Sequence, residues 1–260
     1  MSAKPTEASP LPPLDVPRGQ TLCILQTDSV LSELQPEHGD YPDMFRALMT
    51  QAGWPDNQLT TVNVPRDGVP GSLDNNAYLI TGSRLSVYED EAWIQELATF
   101  VGRALTAGHK VIGICFGHQL LAHFFGGAVT KATAGWKVGL QRAAVVRRRP
   151  WMVPWQDEFA VLASHQDQVV RLPAAATTLA GSDGCPVAAF ELGSRALAIQ
   201  GHPEFRKPYS AALMQRRRAQ LGEAVFEAGM ASLEGSPSTS VIAQWMLRFL
   251  LAGTGGGSSR

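Results

Sequence analysis

The chain has 260 residues, a length that predicts one large domain or two small ones. Hydrophobic residues make up 45% and charged residues 17% of the chain, which is typical of a globular protein and too apolar for a disordered one. Lysine and arginine number 22 against 23 aspartates and glutamates, and the net charge of −1 disfavours a nucleic-acid partner. No apolar run reaches the roughly 18 residues of a membrane span, so no membrane contact is expected.

The two ends of the chain differ in composition from the part between them. Residues 1–18 are rich in proline and serine and lack the apolar stretch of a secretory signal, so they are predicted to form a disordered leader. Residues 253–260 are rich in glycine and serine and are predicted to form a flexible tail. Residues 19–252 are predicted to form a single domain. The three cysteines form no disulfide framework, so a reducing cytoplasm is the expected location.

Short apolar runs alternate with amphipathic stretches in the first half of the domain. The predicted elements there are a strand over Leu22–Gln26, a helix over residues 43–52 with Asp43 as its N-cap, strands over residues 59–64 and 77–80, a helix over residues 90–107 that ends at Gly108, a strand over residues 110–115 and a helix over residues 118–125. This alternation predicts a parallel sheet covered by helices on both faces.

The second half is richer in predicted strands. They cover residues 138–146, 159–164, 187–192 and 196–200, and two helices follow over about residues 209–228 and 241–251. Consecutive strands without helices between them predict an antiparallel extension of the sheet.

The segment Gly113-Ile114-Cys115-Phe116-Gly117-His118-Gln119 places a cysteine where a buried strand meets a helix. Small residues on both sides of such a turn allow a strained nucleophile elbow, which exposes the side chain at the carboxyl edge of the sheet. A helix N-terminus and a nearby imidazolium both favour the reactive thiolate. On this pattern alone, Cys115 is either a nucleophile or a small buried apolar side chain.

A thiol nucleophile needs a histidine base and a group that orients it, and His202 is the histidine with a carboxylate at a useful spacing. In an extended chain His202 and Glu204 point to the same side, and Pro203 stiffens that geometry. If the strand over residues 196–200 lies beside the strand over residues 110–115, His202 reaches the elbow. The alternative is a solvent-facing histidine and glutamate in a turn.

No cofactor and no metal site is predicted. A site on Cys115 and His118 lacks further ligands at suitable spacing, and the glycine-rich stretches lack the G-x-x-x-x-G-K pattern of a phosphate-binding loop. The runs Arg147-Arg148-Arg149 and Arg216-Arg217-Arg218 are interpreted as solvated faces or ion-pair partners, with a docking surface for an acidic partner as the alternative.

These motifs together resemble the class I (triad-type) glutamine amidotransferases, and within them the stand-alone GMP-synthase-like branch. The resemblance extends from about Thr21 to Phe205. The matching segments are GICFGHQ around Cys115, GHPEF around His202, Ile80-Thr81-Gly82-Ser83, Ser86-Val87-Tyr88, Trp93-Ile94, Gly126-Gly127, Gly135-Trp136 and Ser164-His165-Gln166-Asp167. The resemblance implies a flavodoxin-like three-layer α/β/α sandwich with a mostly parallel central sheet.

The resemblance also implies a Cys-His-Glu triad made of Cys115, His202 and Glu204. Cys115 attacks the side-chain amide carbon of glutamine, His202 protonates the departing ammonia, and water then hydrolyses the γ-glutamyl thioester. The backbone N–H groups of Gly82 and Phe116 are expected to form the oxyanion hole.

The implied substrate is glutamine or a γ-glutamyl small molecule. Gln119 and the backbone of Ser164, His165 and Gln166 are expected to bind its amino-acid end, with His165 shaping the pocket and not serving as a second base. Arg84 departs from the Gly-Pro-Gly-type turn of many family members, and it reshapes the pocket mouth, contacts a substrate carboxylate or is solvated.

No synthetase or ATP-binding domain is expected after Phe205 in this sequence. The ammonia therefore goes to a separate synthetase subunit, or the enzyme is a γ-glutamyl peptidase without an ammonia acceptor. A catalytically silent regulatory module of the same fold is the third alternative, and an intact triad disfavours it.

Overall fold

The structure is a computed structural model that describes residues 12–252. Its strands are β1 Leu22–Gln26, β2 Leu59–Asn63, β3 Ala77–Ile80, β4 Lys110–Ile114, β5 Ala128–Lys131, β6 Lys137–Val145, β7 Glu158–His165, β8 Asp167–Arg171, β9 Ala176–Ser182, β10 Cys185–Leu192 and β11 Ala196–Ile199. Its helices are α1 Gln35–His38, α2 Tyr41–Ala52, α3 Val64–Asp67, α4 Ala92–Ala107, α5 Phe116–His123, α6 Lys207–Arg216, α7 Arg218–Leu221, α8 Glu223–Ser232 and α9 Thr239–Leu251.

Within these residues, nine strands form one sheet in the order β2-β1-β3-β4-β11-β10-β9-β6-β7. The pairings from β2 to β11 are parallel, and those from β11 to β7 are antiparallel. The predicted α/β class and the antiparallel extension in the second half are confirmed. Strands β5 and β8 form a separate antiparallel pair.

Helices cover both faces of the sheet because the side chains of its central strands alternate between two apolar clusters. In β1, Leu22 and Ile24 pack in the cluster that contains α2 and α9. Their neighbours Cys23 and Leu25 pack in the cluster that contains α4 and α5. Apolar residues on both faces are the mark of a parallel strand buried between two helical layers. Within residues 12–252, no helix combines the length and the apolar character needed to cross a membrane.

The position of β11 beside β4 determines where the site can form. The two strands are parallel, with Ala198 opposite Gly113 and Ile199 opposite Ile114. Their carboxyl ends therefore lie at the same edge of the sheet. Cys115 follows one strand and the segment that contains His202 follows the other, as the sequence predicts.

Several predicted elements differ from the structure. The N-cap of α2 is Asp40, whose side chain accepts a hydrogen bond from the Tyr41 backbone at 2.8 Å, whereas Asp43 is the third helical residue and its carboxylate accepts from the Asp40 backbone N–H at 2.9 Å. The single helix predicted over residues 209–228 is divided into α6, α7 and α8, because the chain leaves the helical conformation at Arg217 and again at Gly222, where φ is +78°. Strands β5, β8 and β9 were not predicted.

Part of the segment predicted as a disordered leader contacts the domain. Residues 12–18 are described, and Val16 is buried in the cluster of α2 and α9. The Leu14 backbone N–H donates to the Ala52 carbonyl at 2.9 Å, and Gln244 donates to the Pro12 carbonyl at 3.1 Å. Residues 1–11 and the predicted tail at 253–260 lie outside the described residues, so the boundaries of the predicted domain stay a prediction.

Replacing Asp40 with alanine should lower the free energy of unfolding by about 1–2 kcal/mol, because the carboxylate caps α2 and also accepts bonds from Val30 at 2.7 Å and Gln26 at 2.8 Å. Urea denaturation measures the change. Asp56→Ala, which removes the partner of Arg46 in a surface ion pair, should cost less than about 1 kcal/mol. Equal losses in the two variants would contradict the capping role.

Candidate active site

Cys115 occupies a strained turn between β4 and α5. Its φ is +52° and its ψ is −94°, and it is the one non-glycine residue with positive φ in the described part of the chain. Such a conformation costs about 1–3 kcal/mol and persists only where the surroundings hold it. The Cys115 backbone N–H donates to the Ile199 carbonyl at 2.9 Å, which ties the turn to the end of β11.

Two glycines around Cys115 allow the turn to close. A Cβ on Gly113 would lie 2.4 Å from the Gly117 carbonyl oxygen, and a Cβ on Gly117 would lie 2.8 Å from the Cβ of Ile80. Both distances are far below a normal contact, so neither position can carry a side chain unless the backbone moves. The sequence predicted this packing from the glycine spacing, although α5 begins at Phe116 and not at the predicted residue 118.

His202 and Glu204 form a buried pair beside the thiol. Nδ1 of His202 lies 2.7 Å from Oε1 of Glu204, and the Glu204 side chain is completely inaccessible. The His202 backbone N–H donates to the Leu162 carbonyl at 2.7 Å, and the Phe205 ring stacks on the imidazole with centroids 3.9 Å apart. These contacts fix the ring, and with Nδ1 engaged by Glu204, Nε2 is the nitrogen left to face Cys115.

The electrostatics of this pair favour a charged imidazole. Burial opposes the charge, but the Glu204 carboxylate and the adjacent Cys115 side chain outweigh it, and they raise the pKa of His202 above its usual range. The second oxygen of Glu204 is buried without a hydrogen-bond partner among the described residues. A buried carboxylate in that position needs a cation beside it, and His202 supplies one.

Of the other residues assigned to the site in the sequence, all but Phe116 line one cavity. A cavity of about 220 Å³ opens above Cys115 and His202. The predicted residues that line it together with them are Gly82, Gln119, Ser164, His165 and Gln166.

Gly82 is close to the side chains of both Cys115 and His202. A Cβ built on it would lie 2.7 Å from Cε1 of His202 and 3.5 Å from Cβ of Cys115. The Gly82 carbonyl accepts a bond from the Thr27 hydroxyl at 2.9 Å, which holds the turn in place. Phe116 is buried, and as the first residue of α5 its backbone N–H belongs to those without an acceptor inside the helix.

His165 has a different environment from His202. Burial lowers the pKa of His165 to about 4, although the Asp167 carbonyl, 3.1 Å from Nδ1, partly offsets it. A pKa this low favours the neutral form of His165 near pH 7, so His165 is a poor proton donor there. His118 is fully buried against Phe190, and burial lowers its pKa to about 3.

Sequence reasoning gave no role to two residues of the site, Gln200 and Asp167, although Asp167 lies in one of the matching segments. Gln200 is buried, and its Nε2 lies 3.7 Å from Sγ of Cys115 while its Oε1 accepts from Gln119 at 3.2 Å. The Asp167 carboxylate accepts from the hydroxyls of Ser86 and Tyr88. Its carbonyl accepts from Gln119 at 3.0 Å. A glutamine that ends an otherwise apolar strand, as Gln200 ends the run before His202, is the signal that could have identified it.

Arg84 is half exposed and forms an ion pair beside the cavity. Its guanidinium is paired with the Asp28 carboxylate, with a closest distance of 2.7 Å, and it also donates to the Ser29 carbonyl. This pair lies at the rim of the cavity and joins the loops that follow β1 and β3. The structure thus adds an ion pair at the pocket mouth, and the alternatives for Arg84 stay predictions.

A larger cavity of about 1000 Å³ lies at the opposite edge of the sheet, near the start of β4. Its charged groups bind one another or the backbone: Arg149 pairs with Glu191, and Lys110 donates to the Ser194 carbonyl at 2.6 Å. None of the described residues that line it is a cysteine. The smaller cavity above Cys115 is thus the candidate active site.

A family profile described as glutamine amidotransferase class-I matches residues 69–217, which contain the elbow and the histidine-glutamate pair. The chain belongs to the class-I glutamine amidotransferase family. The similarity predicted from the sequence is confirmed. A crystal structure of a glutamine amidotransferase from Thermotoga maritima has a TM-score of 0.70 over 90% of this chain and 97% of that chain, at 18% identity, which supports the three-layer fold.

Two relatives of this chain are named as different enzymes, a peptidase and a synthase. The chain is 32% identical over 178 residues to gamma-glutamyl peptidase 3 of Arabidopsis thaliana, and this aligned region covers 66% of each protein. It is 36% identical over 135 residues to the glutamine-hydrolysing GMP synthase of Aeropyrum pernix, which covers 52% of this chain and 24% of that protein. The match therefore spans just under two thirds of the plant relative and a quarter of the synthase.

Gly117→Ala should lower the free energy of unfolding by roughly 1–3 kcal/mol, because the added methyl group collides with Ile80. Gly102→Ala is the matched control. Gly102 lies inside α4, and outside the adjacent backbone of that helix nothing lies within 4 Å of its Cβ position, so the free energy of unfolding of that variant should rise by up to about 1 kcal/mol. Thermal and urea unfolding measure both changes. A neutral Gly117→Ala would show that the elbow is not closely packed.

Proposed function

We propose that the protein hydrolyses the γ-amide bond of glutamine or of a γ-glutamyl conjugate, with Cys115 as nucleophile. The observation that carries this proposal is the placement of one strained cysteine against the buried pair of His202 and Glu204 on the floor of a cavity. The family membership and the names of the relatives support the same class of bond.

In the first half of the reaction, the Cys115 thiolate attacks the γ-carbonyl carbon and forms an S–C bond. The carbonyl electron pair moves to oxygen, and the charge is stabilised by the backbone N–H groups of Gly82 and Phe116. The C–N bond then breaks, and the His202 imidazolium gives its proton to the departing nitrogen. The products of this half are a γ-glutamyl thioester on Cys115 and free ammonia or an amine.

In the second half, neutral His202 takes a proton from water, whose oxygen attacks the thioester carbon. The C–S bond breaks and returns the electron pair to Cys115, and glutamate leaves. Glu204 keeps the imidazole in one orientation and stabilises its charged form in both halves. Because Glu204 is buried and its second oxygen has no partner among the described residues, its charge acts on His202 with little screening.

The amino-acid end of the substrate is proposed to lie against Gln119 and the backbone of Ser164, His165 and Gln166. Gln119 is held by the Asp167 carbonyl and by Gln200, so its amide is oriented before a substrate arrives. A group fixed in advance binds with a smaller loss of conformational entropy.

A γ-glutamyl peptidase is the second candidate function, because relatives with that name match about two thirds of the chain. In the amidotransferase alternative, a separate synthetase subunit accepts the ammonia, and the GMP synthase relative supports it. A silent regulatory module is disfavoured by the geometry of the triad. We also propose a cytoplasmic location, since all three cysteines are free thiols.

Purified protein should release glutamate from L-glutamine or from γ-glutamylglycine, and Cys115→Ala should reduce the rate at least about 1000-fold. A coupled glutamate assay measures the release, and ammonia is measured in parallel for glutamine. Turnover of the peptide without turnover of glutamine would favour the peptidase. Full activity in Cys115→Ala would contradict the proposed function.

Glu204→Gln should impair turnover roughly 10- to 100-fold less than Cys115→Ala does, because it removes an orienting charge and not the nucleophile. It should also change the pH dependence of thiol reactivity. Glu204 raises the pKa of His202, so the amide lowers that pKa and disfavours the imidazolium–thiolate pair. Alkylation of Cys115 by iodoacetamide should therefore slow near pH 7 and recover only at alkaline pH.

Glu158→Gln is the control for the loss of one negative charge, because Glu158 pairs with Arg142 at a surface position. Its alkylation profile should match that of the unmodified protein. An identical profile for Glu204→Gln would show that Glu204 does not stabilise the charged imidazole.

A further inference from the structure

The three arginines at residues 216–218 have different environments: the side chains of Arg216 and Arg218 lie at the surface, and that of Arg217 lines the cavity. Arg216 pairs with Glu33 at 2.8 Å, and Arg218 pairs with Glu223. Arg217 forms no ion pair within residues 12–252. The prediction of ion-pair partners thus describes the two outer arginines and not the middle one.

Arg217 turns inward because it sits where α6 ends and α7 begins. Its Nη1 donates to the Ser164 hydroxyl at 2.8 Å, and its guanidinium lies 5.5 Å from the ring centroid of Trp136. Together with Ser164 and Trp136, it lines the cavity above Cys115 and His202. A guanidinium has five N–H donors, so most of its capacity is left for a ligand.

The other charged groups of the cavity leave Arg217 without a carboxylate. Asp167 accepts bonds from two hydroxyls, and the remaining acidic side chain of the lining, Glu89, is exposed at the rim. Arg84 is already paired with Asp28. A planar guanidinium in a partly buried cleft binds a carboxylate through two parallel hydrogen bonds better than it binds a hydroxyl.

The face of β7 shows which end of the substrate Arg217 meets. Leu162 packs with Phe205 and Leu213, beside the ring of His202. Ser164, two residues further along the strand, has its side chain on that same face. The Arg217 backbone N–H also donates to the carbonyl of Leu213, a member of this cluster, at 3.1 Å. The hydrogen bond to Ser164 therefore places Arg217 on the His202 side of the cavity. The group that takes a proton from His202 lies on that side, and it is the departing amine.

We propose, on the basis of the hydrolysis proposed above, that Arg217 binds a carboxylate carried by the departing amine. The preferred substrates are then γ-glutamyl peptides whose second residue has a free carboxylate, rather than glutamine. Arg217 contributes binding in this scheme and takes no part in the bond-breaking steps.

The test compares two substrates that differ only in that carboxylate, γ-glutamylglycine and γ-glutamylglycinamide. The full chain should favour the acid in kcat/KM, and Arg217→Gln should lower kcat/KM for the acid roughly 10- to 100-fold while leaving the amide within about twofold. The change should appear mainly in KM. Arg217→Lys should restore part of the preference because it keeps the charge.

Arg216→Gln and Arg218→Gln are the matched controls, since each removes the same charge from a neighbouring surface position. Both should keep the preference for the acid. Equal losses for both substrates in Arg217→Gln would show that Arg217 supports the cavity wall or binds the glutamate end, and either result overturns the assignment.

Binding to Cys115→Ala separates this inference from the proposed function. Calorimetry should show tighter binding of γ-glutamylglycine than of γ-glutamylglycinamide, and Arg217→Gln in the same background should remove the difference. If this binding difference is seen but the unsubstituted chain turns over neither substrate, the proposed hydrolysis is wrong and the carboxylate-binding role of Arg217 stands. If the chain turns over both substrates with equal efficiency, the proposed hydrolysis stands and the role of Arg217 is wrong. If the chain neither binds nor turns over either substrate, both claims are wrong.

Discussion

The site depends on one strand pairing. β11 lies parallel to β4, and the Cys115 backbone donates to the Ile199 carbonyl, so segments far apart in the chain end at one edge of the sheet. Parallel neighbours cannot be joined by a tight turn, and here the connection carries an entire antiparallel extension with it. That extension supplies β7, whose Leu162 carbonyl holds the backbone of His202. The pairing thus brings Cys115 and His202 together and also builds the wall beside them.

Strain at the elbow and burial of charge are two costs that the same scaffold offsets. The positive φ of Cys115 is held by close contacts at Gly113 and Gly117 and by a core that is apolar on both faces of β4. The Glu204 carboxylate is held without solvent by the imidazole beside it. Both features would weaken an ordinary fold, and together they place a thiol in a fixed position next to an imidazole whose charged form is favoured. Their occurrence at one point is the strongest physical sign of a reactive site.

Much of the fold and of the triad could be predicted from the sequence, because buried strands and tight turns leave local patterns. Apolar runs identified β1, β3, β4 and β11, and glycine spacing identified the elbow. Features that depend on contacts between distant parts of the chain could not be predicted. Asp40 rather than Asp43 caps α2 because of bonds to the loop after β1, and Gln200 acquires its role only beside Cys115. The inward turn of Arg217 follows from the break between α6 and α7, which helical periodicity does not reveal.

The central claim is that Cys115 carries a γ-glutamyl thioester during turnover. Rapid acid quenching of the protein with γ-glutamylglycine, followed by peptide mapping in a mass spectrometer, tests it directly. The account predicts a γ-glutamyl adduct on the peptide that contains Cys115, absent from the peptides of Cys23 and Cys185 and lost on treatment with hydroxylamine. Hydrolysis without any adduct at Cys115, or an adduct on another residue, would contradict it.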